Sequence, residues 1–396
     1  MSAGGQAKSA DVLAEGFRLW LGVAFCLALA ALHPGETAPR PTEDDPDFDP
    51  NWNWVEQCHV QRSHRLSDFG TFGSLLVTAD TQSILTQPSA GKNRTGASYV
   101  ASLKQDLWSD AALIAYMEGG TTYTLDHIIG DSLGNNHLAE PAAFYIPRVF
   151  LLQHLFDMKV QIVAGKIDLT DFFDINRAAN CEIVQFLSDS LVNNPTIPFP
   201  QPGIGAGARF VPAPWLYLQA GTGDASAVAT ESGLNTAFHD HNGNFGIFEF
   251  GLSPSPSAHP GTYRFMVWYD PASPRDDQSQ DNHGFAANFD QVIPGNLTLF
   301  FRYGRPEHPV NGLSDFVSAG LQLKEPLPGR SKDTLGCGLA YGNGTSHDET
   351  LIELDYNLHL ADRISITPVM QVIADPAEDP DDRTVVLAGL RAVCVF

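Results

Sequence analysis

Three arginines interrupt segments of the chain in which apolar and polar residues alternate. Arg264, Arg302 and Arg391 each fall on the polar side of that alternation. On a surface that faces lipid, an arginine costs about 2–4 kcal/mol near the bilayer midplane, so these side chains are expected to face water. Carboxylates and an amide share their parity: Glu249, Glu353, Asp355 and Gln371. Such a set donates and accepts hydrogen bonds, as recognition of sugar hydroxyls requires. The alternative is that these residues pair with one another and only maintain the shape of a wall.

Two other clusters resemble known kinds of site but lack the required surroundings. The glycine-rich segment 203–207 could cradle a phosphate only between a strand and a helix, whereas Pro202 and Pro212 flank it, which favours a flexible loop. His239 and His241 could bind a metal only with a third ligand in a buried frame, so a solvated loop is favoured. No nucleophile motif accompanies the scattered serine, histidine and aspartate residues. We therefore predict no catalytic residue, no metal and no cofactor.

The charge of the chain excludes one large class of partner. Its 396 residues carry 23 Lys and Arg against 46 Asp and Glu, a formal net charge of −23. Nucleic-acid binding needs clustered basic residues, so that function is excluded. Charged residues make up 17% of the chain, below the roughly 25% of ordinary soluble domains, which indicates that many side chains face something other than water. The acidic runs 43–47 and 375–382 are predicted to be solvated loops.

The N-terminal segment has the pattern of an export signal. Lys8 and Arg18 precede an apolar stretch from Leu19 to Leu32, which is shorter than the roughly 18–20 residues of a spanning helix but suits a signal-peptide core. We predict a signal peptide over residues 1–38, cleaved near Ala30 or Ala38, and a periplasmic segment over 39–69.

The five cysteines have no metal-ligand spacing, and export allows a disulfide between Cys58 and Cys181.

The alternation itself predicts the fold. In Thr350–Leu360, apolar residues from Ile352 to Leu358 occupy one face, while Glu353 and Asp355 lie on the other. Such runs are about nine to eleven residues long, enough for a tilted strand to cross a bilayer. We find about sixteen of them: 72–85, 97–108, 110–118, 143–155, 158–165, 206–211, 214–221, 244–252, 261–270, 284–292, 296–303, 315–323, 334–341, 350–360, 363–373 and 384–396. Short and long connectors tend to alternate between them, as in bacterial barrels with both termini in the periplasm. The predicted fold is all-β, a transmembrane antiparallel β-barrel over residues 70–396.

The longest connector predicts a constriction. Residues 166–205 join the fifth and sixth strands, and Phe172–Leu191 within them has helical spacing. Because long loops of compact domains are usually functional, we expect this helical loop to fold into the lumen and narrow it. Lys166, Asp168 and Phe173 would then line the constriction together with the inward wall residues. Trp268 on the wall could stack on a sugar face or pack beneath the loop.

Several segments recur in one known family. They are Pro260–Arg264 with Trp268, Leu327–Arg330 with Asp333–Gly336, Glu353 with Tyr356, Pro368–Ile373 and Leu387–Arg391 before Phe396. Through them, residues 160–396 resemble the carbohydrate-selective porin family of OprB type, whereas residues 1–110 match it poorly. In that resemblance Ala164–Asp168 with Phe172 and Phe173 looks like the segment that leads into the pore-narrowing loop. The resemblance also implies that the assembly machinery of the outer membrane reads the terminal Phe396.

The functional expectation follows from these observations. The chain is expected to be a porin of the outer membrane that lets carbohydrates and other small hydrophilic solutes diffuse passively, and not an enzyme. A general diffusion porin, or a secreted all-β carbohydrate-binding protein, is the alternative. Its expected partners are outer-membrane lipid, small carbohydrates and the barrel-assembly machinery, and the chain would act as a monomer or a homotrimer.

Overall fold

The computed structural model describes most of the chain from residue 64 onward. The described ranges are 64–67, 71–86, 92–108, 110–121, 124–138, 140–237, 243–254, 259–271, 280–345, 347–376 and 384–396. The predicted signal peptide, most of the predicted segment 39–69, Cys58 and the His239–His241 cluster lie outside them. No helix within these ranges is long and apolar enough to cross a membrane.

Antiparallel strands make up nearly all of the described structure. In chain order they are β1 (His64–Ser67), β2 (Thr71–Ile84), β3 (Asn93–Trp108), β4 (Ala111–Gly120), β5 (Tyr145–Leu155), β6 (Val160–Ile167), β7 (Gly203–Ala213), β8 (Leu216–Asp224), β9 (Asn244–Leu252), β10 (Gly261–Asp270), β11 (Asn282–Ile293), β12 (Leu297–Pro306), β13 (Leu313–Lys324), β14 (Thr334–Gly344), β15 (Glu349–Ala361), β16 (Ile364–Ala374) and β17 (Thr384–Val395). Strands β2 to β17 each pair with the next, and β17 pairs with β2. The result is a closed barrel of sixteen strands, as predicted. The short β1 pairs with the start of β2.

The alternation places apolar residues outside and polar residues inside. In β15, Ile352 and Leu354 are 42% and 47% exposed, whereas Glu353 and Asp355 are 0% and 3% exposed. Rings on the outside of β9 to β12 pair across neighbouring strands, with the centroids of Phe250 and Phe265 5.0 Å apart. Such cross-strand pairs stabilise sheets. The predicted orientation of this face is confirmed.

The two ends of the barrel differ in their connectors, as the sequence indicated. Short turns such as the one containing Asn296, whose φ is 62°, lie at one end. The C-terminus meets the start of β2 at the same end, because the amide of Leu75 donates to the carbonyl of Phe396 (3.0 Å) and the amide of Phe396 donates back (2.8 Å). These two hydrogen bonds extend the seam at which the first and last strands of the barrel meet.

Two long connectors at the opposite end fold inward. The first inner loop is the connector 121–144, of which residues 121, 124–138 and 140–144 are described, and it contains the short helix α1 (Asp126–Ile129). The second inner loop comprises residues 168–202 and contains a 3₁₀ turn (Leu169–Asp171) and the short helix α2 (Asp189–Val192). The predicted helix over Phe172–Leu191 is therefore wrong in extent. Helical spacing there reflects one-sided packing of an irregular chain against the wall, and the sequence did not identify the first inner loop.

Candidate pore constriction

Arg302 is the main anchor of the second inner loop. Its side chain points inward from β12 and is 0% exposed. The guanidinium donates to the Asp174 carboxylate (3.0 Å) and to the carbonyls of Ala179 (2.6 Å), Leu191 (2.7 Å) and Val192 (2.9 Å). Because these carbonyls belong to both limbs of the loop, one side chain holds the limbs together. A buried guanidinium of this kind is stable only when its donors are satisfied in this way.

Glu353 supports the middle of the same loop from β15. Its carboxylate accepts hydrogen bonds from the amides of Leu187 (2.6 Å) and Ser188 (2.9 Å). Gln371 on β16 donates to the same carboxylate (2.8 Å). The two backbone amides precede α2 and have no partner within that helix, so the carboxylate compensates for their burial.

Arg391 holds the intervening turn of the loop from β17. It is 0% exposed and donates to the carbonyls of Glu182 and Gln185, the latter at 2.6 Å. Asp355, 3% exposed, lies beneath the loop near Gly336, where an added Cβ would come within 2.1 Å of its Oδ2. Arg391 and Asp355 therefore lie between the wall and the loop and are shielded from lumenal water.

A third part of the wall contacts the beginning of the loop. Glu249 accepts from the hydroxyl of Tyr217 (2.6 Å) and from Gln219 (2.9 Å), and the amide of Asp174 approaches it at 3.4 Å. Next to this group, Arg264 forms an ion pair with Asp290 at 2.7 Å. The beginning of the loop also contacts an inward arginine, because Arg302 donates to Asp174.

Glycines on the inward face make room for the loop. A Cβ added to Gly221 would lie 2.5 Å from the Phe173 ring, and one added to Gly304 would lie 1.9 Å from Thr196 Oγ1. Phe173 is only 1% exposed, so it packs against the wall. The sequence-based expectation that Phe173 lines the constriction is therefore corrected. Close approach of a backbone is a common reason for glycine within strands.

The first inner loop uses a separate set of wall residues. Asn136 donates to Asp80 (2.9 Å) and Gln82 (3.0 Å) on β2. Glu349 accepts from the amides of Ser132 (2.8 Å) and Leu133 (3.2 Å). The length of this connector and its turn-forming residues Gly130, Gly134, Asn135 and Asn136 were the sequence signals that could have revealed it.

The two inner loops also contact each other directly. Ser188 Oγ and the amide of Asp189 donate to the carbonyl of Gly134 (2.7 and 3.1 Å). The imidazole of His137 lies 3.0 Å from the Asp189 carboxylate, with side chains 43% and 38% exposed. Burial lowers the pKa of His137, but Asp189 more than offsets this effect and the net pKa is raised. The imidazolium form therefore predominates near neutral pH, and the two loops share a charged contact.

The polar part of the constriction lies where both loops approach β4 and β5. Arg148 forms ion pairs with Glu118, with Asp168 (3.2 Å) and with Asp171 (2.7 Å). Burial raises the pKa of Asp171 to about 7, although Arg148 acts in the opposite direction. Asp168, one of the predicted lumen residues, thus takes part in a network that positions the start of the second inner loop.

Two predicted lumen residues lie elsewhere. Lys166 pairs across strands with the outward residue Val149, and its ammonium donates to the carbonyls of Ile146, Ala229 and Glu231 (2.5–2.7 Å). Its assignment to the lumen is corrected, because residues of β6 with odd numbers face inward.

Trp268 does face inward but is 3% exposed, and its ring stacks on Phe245 with centroids 6.5 Å apart. Phe245 in turn packs against Phe199 of the second inner loop, with centroids 5.8 Å apart. Trp268 thus belongs to the packing beneath that loop, which was the second of the two expectations for this residue.

Cys181, in the second inner loop, is disulfide-bonded. Cys58, the partner that the sequence allowed, lies outside the described residues. The pairing therefore stays a prediction.

Sequence comparison identifies a family and several relatives of this chain. The sequence model of the carbohydrate-selective porin family, OprB, matches residues 139–396. Porin AaxA of Chlamydia abortus is 28% identical over 217 residues, which are 52% of this chain and 48% of that protein. An uncharacterised protein of Aquifex aeolicus is 29% identical over 237 residues, which are 58% of this chain and 65% of that protein. The chain thus spans about half the length of the curated porins it matches.

Solved structures share the fold. OprB of Pseudomonas putida at high pH superposes with a TM-score of 0.69 at 17% identity, over 83% of this chain and 95% of that chain. The low-pH structure of the same protein gives 0.54 at 16% identity, over 83% and 93%. OmpT of Vibrio cholerae gives 0.52 at 12% identity, over 84% and 100%. At these identities the likeness concerns the barrel architecture.

Proposed function

The chain belongs to the OprB family of carbohydrate-selective porins, and from this premise we propose that it is a passive channel for carbohydrates and other small hydrophilic solutes. It lies in the outer membrane, as its family and its barrel fold indicate. The observation that carries the proposal is a closed barrel, apolar outside, whose lumen is narrowed by two loops fixed to the wall. A secreted carbohydrate-binding protein would not present strands with Ile352 and Leu354 exposed.

The proposed mechanism is replacement of water by fixed hydrogen-bonding groups. A solute entering the constriction loses part of its hydration, and the polar atoms of the loops and of the Arg148 network supply partners in its place. Asp168 would accept from hydroxyl groups, whereas Arg302, Glu353, Glu249, Gln371 and Arg391 act by positioning the loops. Because a wide barrel does not discriminate among small solutes by its wall alone, the loops would set the size limit.

Reconstitution into liposomes tests this function. Swelling in iso-osmotic sugars should be fast for monosaccharides and fall steeply for di- and trisaccharides. Swelling that declines only gradually with solute mass would indicate a general diffusion porin, and no swelling with any solute would overturn the channel. Membrane fractionation and heat-modifiable gel mobility check that the protein used is an assembled barrel.

The family also supports proposals about partners. Phe396 would be read by the barrel-assembly machinery, and deletion of this residue should lower the amount of barrel in the outer membrane. The oligomeric state, monomer or homotrimer, would be measured by native mass spectrometry in detergent.

A further inference from the structure

Four arginines on the inward face of the wall are withdrawn from lumenal water. Arg302 and Arg391 are 0% exposed and donate to carbonyls of the second inner loop. Arg264 is 7% exposed and pairs with Asp290, and Arg209 is 5% exposed with its guanidinium 3.9 Å from the centre of the Tyr217 ring. A paired charge beneath a loop contributes less to the field in the channel than an exposed one.

The two inner loops, in contrast, are acidic. Together they contain eight Asp and Glu residues and a single arginine or lysine, Arg177. Arg177 lies 3.5 Å from Asp290 on the wall. Wall arginines compensate part of this charge, since Arg302 pairs with Asp174 and Arg148 pairs with Asp168 and Asp171. The remaining carboxylates of the loops give the lumen an excess of negative charge.

Several of these carboxylates are at least partly exposed to water. Asp189 is 38% exposed at its side chain. Glu182 is half-buried, and its carboxylate has no hydrogen bond or ion pair with the described part of the chain. The charge of Glu182 raises the pKa of Glu140 and His137 on the first inner loop and of Asp171 on its own loop. Groups of both loops thus act on one zone of the lumen.

The charges of this zone do not cancel. The guanidinium of Arg148 is shared by Glu118, Asp168 and Asp171, and that of Arg391 donates from beneath the loop to the backbone carbonyl of Glu182. The imidazolium of His137 forms its ion pair with Asp189, and Glu182 and Asp168 also act on it electrostatically. Glu182 remains without a basic partner at hydrogen-bond distance.

We propose that Glu182, supported by Asp189 and Glu140, is the charge-selecting residue of this channel, which makes the constriction favour cationic solutes over neutral and anionic solutes of the same size. The favoured organic class is then the protonated amino sugar. Exposed carboxylates in a pore raise the local concentration of cations and exclude anions, as in other cation-selective channels. The inference rests on the proposed channel function and adds the charge of its preferred solute.

The test compares solutes of one size and three charges. Purified full-length protein is placed in liposomes, and swelling or uptake is measured with D-glucose, D-glucosamine and D-glucuronate near neutral pH. The expected order is glucosamine, then glucose, then glucuronate. The potassium-to-chloride permeability ratio, from the reversal potential in a KCl gradient, should exceed one.

Two variants assign the effect to the constriction. Glu182→Gln keeps the backbone carbonyl that Arg391 binds and should lower the potassium-to-chloride ratio about threefold at low salt, because one charge at roughly 10 Å in water acts on the cation and the anion in opposite directions. Glu140→Gln, which keeps an acceptor for Tyr145, should act in the same direction. Glu325→Gln, at an exposed turn outside the lumen, is the control and should leave the ratio unchanged.

The outcomes separate the inference from the function on which it rests. Glucose flux with equal passage of all three solutes would retain the channel and overturn the charge preference. An unchanged permeability ratio in both assembled variants would overturn the roles of Glu182 and Glu140 in charge selection. Absence of flux for every solute would overturn the channel function, and the inference with it.

Discussion

At the scale of single residues, burial decides what an inward charge does. Arg302, Arg391 and Glu353 all have the predicted parity, but each is fully buried and bonded to loop backbone. They are positioning residues, because no face of their charged groups meets a passing solute. The sequence offered two interpretations of these residues, binding of solute and pairing with one another, whereas in the structure they bond to the backbone of the loop.

Replacement of Arg302 by glutamine should release the second inner loop. Removing one partner of a buried ion pair typically costs about 3–5 kcal/mol, here in docking of the loop. Single-channel recording should show larger and noisier conductance with weaker discrimination between mono- and disaccharides. Arg305→Gln on the same strand, where the side chain is 60% exposed, is the matched control and should behave as the parent chain. Identical traces for all three proteins would contradict the anchoring role.

Acidification should weaken the preference for cations. Burial raises the pKa of Glu140 to about 7, with Glu118 and Glu182 adding to this effect and Tyr145 and Arg148 opposing it. An acid with a raised pKa loses its negative charge as the pH falls through that value. The potassium-to-chloride ratio should therefore fall between pH 8 and pH 6, and Glu140→Gln should flatten the profile. A ratio that rises on acidification would contradict the sign of this prediction.

At the scale of secondary-structure elements, the inward face of a strand is shaped for the loop that covers it. Gly304 on β12 lies beneath the Asn194–Thr196 turn, where even a Cβ would meet Thr196 Oγ1 at 1.9 Å. The parity rule assigns such a position to the lumen but does not say whether water or protein lies against it.

Gly304→Val should displace the end of the second inner loop without preventing barrel assembly. The valine side chain competes for the space of the Asn194–Thr196 turn, so the expected result is normal heat-modifiable mobility with altered conductance. Gly246→Ala is the matched control, because nothing lies within 4 Å of its added Cβ. If Gly304→Val conducts and discriminates between sugars like the parent chain, the turn does not dock as described.

The outward face of β15 gives a different prediction. Leu354→Arg should impair assembly, since an arginine facing lipid near the midplane costs about 2–4 kcal/mol. Asn357→Arg has the opposite parity and should assemble, but Asn357 is buried and donates to the carbonyl of Val184 (3.2 Å). Its effect should therefore be on conductance, through the loop above it. Equal yields of folded barrel in the outer membrane for both variants would count against the alternation.

At the scale of the whole molecule, the barrel encloses the lumen and the two inner loops fill part of it. The loops are joined through Gly134, Ser188 and the His137–Asp189 pair. Gln371 links their supports, since it donates both to the carbonyl of Asn135 (2.7 Å) and to Glu353. The two inner loops and their supporting wall residues are thus connected to one another.

Deletion of residues 176–200 should widen the pore. Conductance should rise and discrimination between sugars of different size should weaken, because the removed segment occupies lumen against β12 to β17. The first inner loop would remain and would still narrow part of the pore. The sequence alone did not lead us to expect this residual narrowing. An assembled deletion with unchanged conductance and unchanged sugar discrimination would place the second inner loop outside the conducting path.

The sequence by itself determined the barrel. Period-two alternation, strand length and connector length are local properties, and they gave sixteen strands with the correct faces outward. Which face of such a strand points to lipid is strongly fixed, because a one-residue shift would place Glu353 and Asp355 in hydrocarbon. The resemblance to carbohydrate-selective porins was likewise visible in linear segments.

Tertiary structure alone decided how the lumen is filled. Lys166 and Phe173 were predicted to line the lumen, yet Lys166 faces outward and Phe173 is buried by packing. For Trp268 the sequence left open whether solute or protein covers the ring. The first inner loop is irregular and shows no sequence period. Its conformation depends on bonds to wall residues that are distant in sequence, such as Glu349 and Gln371. Irregular segments that satisfy their backbone through side chains from elsewhere leave little local signal. Which inward charges remain exposed therefore depends on contacts between chain segments that alternation does not encode.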